Sequence, residues 1–329
     1  GANLLSSCTK CLAGKYSAAV GAIYVSTCLK CLEGTYSADA GAGVCTNCPA
    51  GKYSITQSVS ACIDCAAGTH KIATGAGTCA ACAVNTYSSA AAATCTACST
   101  NTFSAVSSPL ITSCTCLAGY TALSDGVACT PCVAGAYKST TGVGTCTPCG
   151  VDTYSFAAAT SCTTCPIYTT SNANSPLLIS CTCRAGYTGV DGAVCTPCGA
   201  GKWKSAIGSV ACTSCGVDTY STALTAVEST ACSLCPLNTF SKASSSELTN
   251  CTCLAGYTGT DGTICNPCAL GMYKAGTGAS ACESCPAGTY KDQEGPGVCS
   301  TCPAGTFSIY SGGTTKDTCR GCAVDTYSV

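Results

Sequence analysis

The chain has 329 residues, 38 of them cysteine, with 14 Lys+Arg, 15 Asp+Glu and a formal net charge of −1. So sparse and balanced a charge supplies no basic stripe for nucleic acid, and no run of eighteen apolar residues is present to cross a membrane as a helix. The 47% apolar content is carried largely by Ala and Cys, with 4 Phe, 1 Trp and 1 Met, which excludes a conventional core and leaves cystine to replace it.

From the N-terminus, Cys8/Cys11, Cys28/Cys31 and Cys45/Cys48 open a series of close pairs that recurs about every seventeen residues to Cys319/Cys322. Of the nineteen pairs, sixteen read C-x-x-C and three, Cys114/Cys116, Cys181/Cys183 and Cys251/Cys253, read C-x-C. Units this short cannot bury enough apolar surface to offset chain entropy, so covalent links are required. Five positions after most pairs stands an aromatic ring (Tyr16, Tyr36, Tyr53, Tyr87), four positions after the C-x-C pairs (Tyr120, Tyr187, Tyr257), and only His70 and Thr170 break the rule. One ring per repeat reads as a miniature core lying over the cystine. Glycine two positions before the ring (Gly14, Gly34, Gly51, Gly135, Gly271, Gly288, Gly305) implies a positive φ or a close backbone approach.

The pattern predicts small disulfide-rich repeats in an elongated rod of short two-stranded β-hairpins. It predicts strands of three or four residues and little or no helix, with each repeat touching only its neighbours. Residues 1–94 hold five plain C-x-x-C repeats. A longer period of four pairs then runs through 95–161, 162–231 and 232–298, each with the C-x-C in second place, and a fourth unit starts over 299–329.

The strings CTNCPAGKYS (45–54), CESCPAGTYK (282–291) and CSTCPAGTFS (299–308) resemble the cysteine-rich repeats of ephrin-receptor-like and tumour-necrosis-factor-receptor-like proteins. Such repeats occur in long surface proteins of protists, and the Ala/Thr/Ser-rich spacing is similar to that of ciliate immobilisation antigens. The segments 181–195 and 251–265 resemble the C-terminal half of an epidermal-growth-factor-like module. That resemblance implies the bonds Cys183–Cys195 and Cys253–Cys265, with Asp191-Gly192 and Asp261-Gly262 at the turn. Extending the same rule along the chain gives Cys11–Cys28, Cys31–Cys45, Cys48–Cys62, Cys65–Cys79, Cys82–Cys95, Cys98–Cys114, Cys116–Cys129, Cys132–Cys146 and Cys149–Cys162. It continues with Cys165–Cys181, Cys198–Cys212, Cys215–Cys232, Cys235–Cys251, Cys268–Cys282, Cys285–Cys299 and Cys302–Cys319. Spacing alone does not fix connectivity, and pairing between alternate dyads is the competing arrangement.

Under that ladder Cys8 and Cys322 stand without partners. Joining CAVDTYSV (322–329) to GANLLSSC (1–8) of a second copy encloses fourteen residues with Tyr327 in register, similar to the internal CAVNTYSSAAAATC (82–95). The expectation is a head-to-tail array, its copies either consecutive in a longer polypeptide or separate subunits linked through Cys322 and Cys8 of the next, forming a filament if the contact does not close into a ring.

Other chemistry fits poorly. Two dyads could make a Cys₄ zinc site, but nineteen dyads do not pair off and His70 is the only histidine. A redox C-x-x-C needs a βαβ frame that the pattern lacks. No catalytic constellation assembles, so no enzyme, cofactor or metal is expected. Cystine at this density persists only in oxidising compartments, which places the protein outside the cell or on its surface. Abundant Ser and Thr with few charges predict an O-glycan coat. Asn250 heads the sole N-x-[ST] match, an acceptor disfavoured by Cys251 at its centre. The expected function is a structural extracellular protein forming a filament or surface appendage, its partners being copies of itself and glycans. The alternative is a cysteine-rich ectodomain, receptor stalk or surface antigen, whose most distinctive patches would be Trp203 with Lys202 and Lys204, and Lys291–Glu294.

Overall fold

The structure is a computed structural model and describes residues 8–324. It divides into two compact units, Gly1–Thr163 with Ala173–Leu177, and Thr164–Asn172 with Leu178–Val329. Both are built from small disulfide-rich repeats, and the described residues form eighteen two-stranded sheets, antiparallel hairpins of consecutive strands as in Thr35–Tyr36 with Thr46–Asn47. Repeats are numbered here by their disulfide loops, from repeat 1 (Cys11–Cys28) to repeat 18 (Cys302–Cys319).

One hairpin explains the rest. In repeat 2 the chain leaves Cys31, turns through Leu32-Glu33-Gly34-Thr35 with the Thr35 amide donating to the Leu32 carbonyl (3.0 Å), and enters the strand Thr35–Tyr36. Gly34 has φ +78°, as the third position of a type II turn requires. The partner strand is Thr46–Asn47, the two residues between Cys45 and Cys48, in the register Thr35↔Asn47 and Tyr36↔Thr46. The spacer of each C-x-x-C is therefore itself a β-strand. In the C-x-C repeats the second cysteine joins the strand: Thr115–Cys116 pairs with Thr102–Phe103.

Strands are two residues long, not the expected three or four. The cysteines bounding them spend their backbone groups elsewhere. The Cys48 amide closes its own hairpin on the Gly34 carbonyl (2.8 Å), while the Cys48 carbonyl accepts the Gly75 amide from repeat 4 (2.8 Å). No α-helix occurs among the described residues, and six single-turn 3₁₀ segments do. Each precedes the cysteine that closes a long loop, with a cysteine separation of 16 or 17 (Val25–Thr27 before Cys28, Lys316–Thr318 before Cys319). Loops with separations of 12 to 14 lack one, so the turn takes up the surplus residues.

Neighbouring repeats are tied by backbone hydrogen bonds. In the first unit the amides of Gly14, Gly34 and Gly51 donate to Ser37, Ser54 and Lys71 carbonyls of the next repeat at 2.9, 3.0 and 2.8 Å. In the second unit Gly186 and Gly256 donate likewise to Lys204 (2.8 Å) and Lys274 (2.9 Å). The expectation that repeats touch only their neighbours fails, because loop tips reach two repeats back. A Cβ on Gly34 of repeat 2 would lie 2.2 Å from the Ala76 nitrogen of repeat 4, and one on Gly186 of repeat 11 would lie 2.5 Å from the Thr225 oxygen of repeat 13.

The second cysteine is buried in thirteen of the nineteen dyads (Cys31, Cys48, Cys65 and Cys82 at 0%), and so is the small residue after the ring in many repeats, such as Ser37, Ser54 and Ser88. Most rings are half-buried, and Phe103 and Phe307 are exposed. A hairpin two residues long has no second layer of its own, so sulfur and Ser make up its buried interior and the rings stay half-buried.

Candidate functional site

Eighteen disulfides form a series, each joining the second cysteine of one dyad to the first of the next, with Cα–Cα separations of 5.5 to 5.8 Å. They run from Cys11–Cys28 to Cys302–Cys319, and Cys183–Cys195 and Cys253–Cys265 close the shortest loops. Asp261-Gly262 sits at a turn in which Thr263 N–H donates to Thr260 O (3.1 Å), with Gly262 at φ +82°. Cys8 is exposed and Cys322 half-buried, and neither carries a disulfide. The flanking residues 1–7 and 325–329, with Tyr327, lie outside the described residues.

Asn250 ends the 3₁₀ turn Leu248–Asn250, where its Oδ1 accepts the amides of Ser246 (3.0 Å) and Glu247 (2.9 Å). Its side chain is thereby engaged as a cap, and Cys251 behind it is bonded to Cys235.

The residue after the ring carries information that charge counting misses. Where most repeats have Ser or Thr, five have a buried lysine: Lys71, Lys138, Lys204, Lys274 and Lys291, each at most 5% exposed. Their ammonium groups donate to main-chain carbonyls. Lys71 reaches Ala73 O (2.6 Å) and Gly75 O (2.8 Å), and Lys138 reaches Thr140 O (2.8 Å) and Gly142 O (2.6 Å). Lys204 and Lys274 span repeats, donating to Tyr187 O (2.6 Å) and Tyr257 O (2.8 Å) as well as to Gly208 and Gly278. Burial holds both below the ordinary lysine pKa, partly opposed by the carboxylates of Asp191 and Asp261. The sequence signal was present, a lysine every fourth repeat from Lys71 to Lys274, but it reads as scattered surface charge until the loop is seen to wrap it. The patches around Trp203 and Lys291–Glu294 shrink accordingly, since Lys204 and Lys291 face inward.

His70 occupies a ring slot, and its Nδ1 lies 3.1 Å from Cys95 Sγ. With Cys82 it forms a cluster of three metal-ligating atoms within 4.8 Å of one another. Two of those atoms are the sulfurs of the Cys82–Cys95 disulfide, which offers no thiolate, so the oxidised protein has no metal centre there. A shallow concavity lined by Phe307, Ile309, Tyr310, Thr318 and Arg320 contains no base–nucleophile pair. Among the described residues no helix is long and apolar enough to cross a membrane.

Residues 22–61 and 275–319 match the family model described as tyrosine-protein kinase ephrin type A/B receptor-like. No curated protein matches the chain. The matched segments fall on plain C-x-x-C repeats rather than on those with a C-x-C. With the disulfide series, the similarity defines cysteine-rich tandem repeats of a kind suited to an extracellular domain, a structural or receptor-like architecture rather than that of an enzyme.

Proposed function

We propose that the chain is a structural element of an extracellular surface, a disulfide-stapled and glycosylated array that repeats head to tail. The observation that carries this reading is the pair Cys8 and Cys322, which have no disulfide while the other described cysteines all take part in one rule of pairing. By that rule Cys322 is the opening half of a rung and Cys8 a closing half, and a further copy, in the same polypeptide or as a separate subunit, would supply the other halves.

Glycans follow from the surface. Many large apolar side chains are exposed, Val20, Leu123 and Ile23 fully or nearly so, on a chain with 9% charged residues, and a polar coat keeps such a surface dispersed. Peptide mapping of native material without reduction is expected to find Cys8 and Cys322 bonded to each other or to cysteines of further sequence in the array. Free thiols at both positions would overturn the assembly reading. Intact mass should fall on deglycosylation, and an unchanged mass removes the coat from the proposal.

The second reading, a binding ectodomain or stalk, is favoured by the ephrin-receptor-like match. Negative-stain microscopy separates the two: extended fibres support the structural array, and discrete particles of single-chain mass support the ectodomain.

A further inference from the structure

We infer that the Cys82–Cys95 disulfide, with His70 beside it, is a site of thiol–disulfide exchange with small external thiols. His70 is the chain's one histidine and stands where other repeats place Tyr, Phe or Trp. Those rings carry no basic nitrogen, and an imidazole does. Its Nδ1 is 3.1 Å from Cys95 Sγ.

Access decides which sulfur is attacked. Cys82 is 0% exposed and out of reach, while Cys95 is half-exposed. Closing cysteines elsewhere, such as Cys62 and Cys79, are half-exposed too, so the imidazole and not the access distinguishes this rung.

The exchange balances. A small thiol approaches Cys95 and gives its proton to His70, and the resulting thiolate bonds to Cys95 Sγ. The Sγ–Sγ bond breaks and Cys82 leaves as a thiolate, which takes the proton back from the imidazolium. The products are a mixed disulfide on Cys95 and a thiol on Cys82, 3.3 Å from Ser88 Oγ, which can accept from it. A second small thiol attacking the mixed disulfide frees Cys95 and leaves as the external disulfide.

Opening this rung frees the loop between Cys82 and Cys95, whose Ala91 amide donates to Cys65 O (2.9 Å) and whose Ala91 carbonyl covers Gly51. The site therefore loosens contacts made with repeats 3 and 4.

The test uses the full chain with any free thiol, at Cys8 and Cys322 included, alkylated beforehand. It is exposed to limiting reduced glutathione at neutral pH, acid-quenched, alkylated with a second reagent and mapped rung by rung. Cys95 is expected as the mixed disulfide and Cys82 as the new thiol, about a hundredfold faster than Cys48–Cys62 or Cys65–Cys79, the low end of what a positioned base contributes. His70→Tyr, which restores the residue of the equivalent slots, should lose that advantage with the ladder intact. Equal opening of Cys82–Cys95 and the comparison rungs would overturn the inference, as would an undiminished rate in His70→Tyr. Should that variant misfold, His70→Phe replaces it, and the rung-by-rung comparison in the unmodified protein decides on its own.

Discussion

The position two before the ring is where a single residue type most directly reports tertiary structure. Gly34 is there because its φ is +78° and because Ala76 backbone lies over it. Asn85, Asn101, Asp152, Tyr168, Asp218 and Asn238 hold the same position with φ between 59° and 64°, so these repeats keep the turn while leaving room for a side chain. Gly34→Ala should therefore cost about 3 kcal/mol in urea unfolding, from strain plus a backbone that must shift, whereas Asn85→Gly should change stability by less than about 1 kcal/mol. Lys204 and Lys274 make a second test. A lysine titrates near 10.4 when unfolded, and these two lie lower when folded because burial disfavours the charge. Between the two values the unfolded chain holds more protons, so stability rises with pH through that window, and the cost of charging is fully present below it. Denaturant unfolding from pH 8 to 10, with Cys8 and Cys322 blocked, should show that rise, and the Lys204→Met/Lys274→Met double variant should lack it.

At the scale of the element, the hairpin is a pair of two-residue strands whose ends are fixed by cysteines, and a disulfide stands in for the rest of a core. Removing Cys48–Cys62, whose cysteines are 14 residues apart, by double Ser substitution should cost about 3 kcal/mol in the chain-entropy description. The loss should spread unevenly. Hydrogen exchange is expected to rise in repeats 1 to 5, which contact repeat 3 directly or across one repeat, and to stay unchanged beyond repeat 8; a chain-wide rise would contradict the short reach of the stacking. The hairpins themselves were legible in the sequence because the dyad period leaves each unit room for little else. Their two-residue length was not, since it depends on Cys48 offering its amide to one partner and its carbonyl to another. Nor was the reach of two repeats, which appears only when the Ala76 backbone is seen above Gly34. The buried lysines hid for a similar reason: a loop of main-chain carbonyls has no signature in side-chain identity.

For the whole molecule, the series of rungs has a mechanical meaning. Pulled at its two ends, the chain transmits force through each disulfide and then through the short spacer to the next, as from Cys11 across to Cys28 and on through Leu29-Lys30 to Cys31. The loops are bypassed. One such step spans 5.5 Å between the bonded Cα atoms and about 10 Å of spacer at full stretch, whereas a reduced repeat of about seventeen residues can reach about 58 Å. The oxidised disulfide path is thus a cord limited to about 16 Å per repeat, with most of the contour length held off the line of tension. Opening one rung, Cys82–Cys95 first if the exchange site is as inferred, pays out slack locally without cutting the cord.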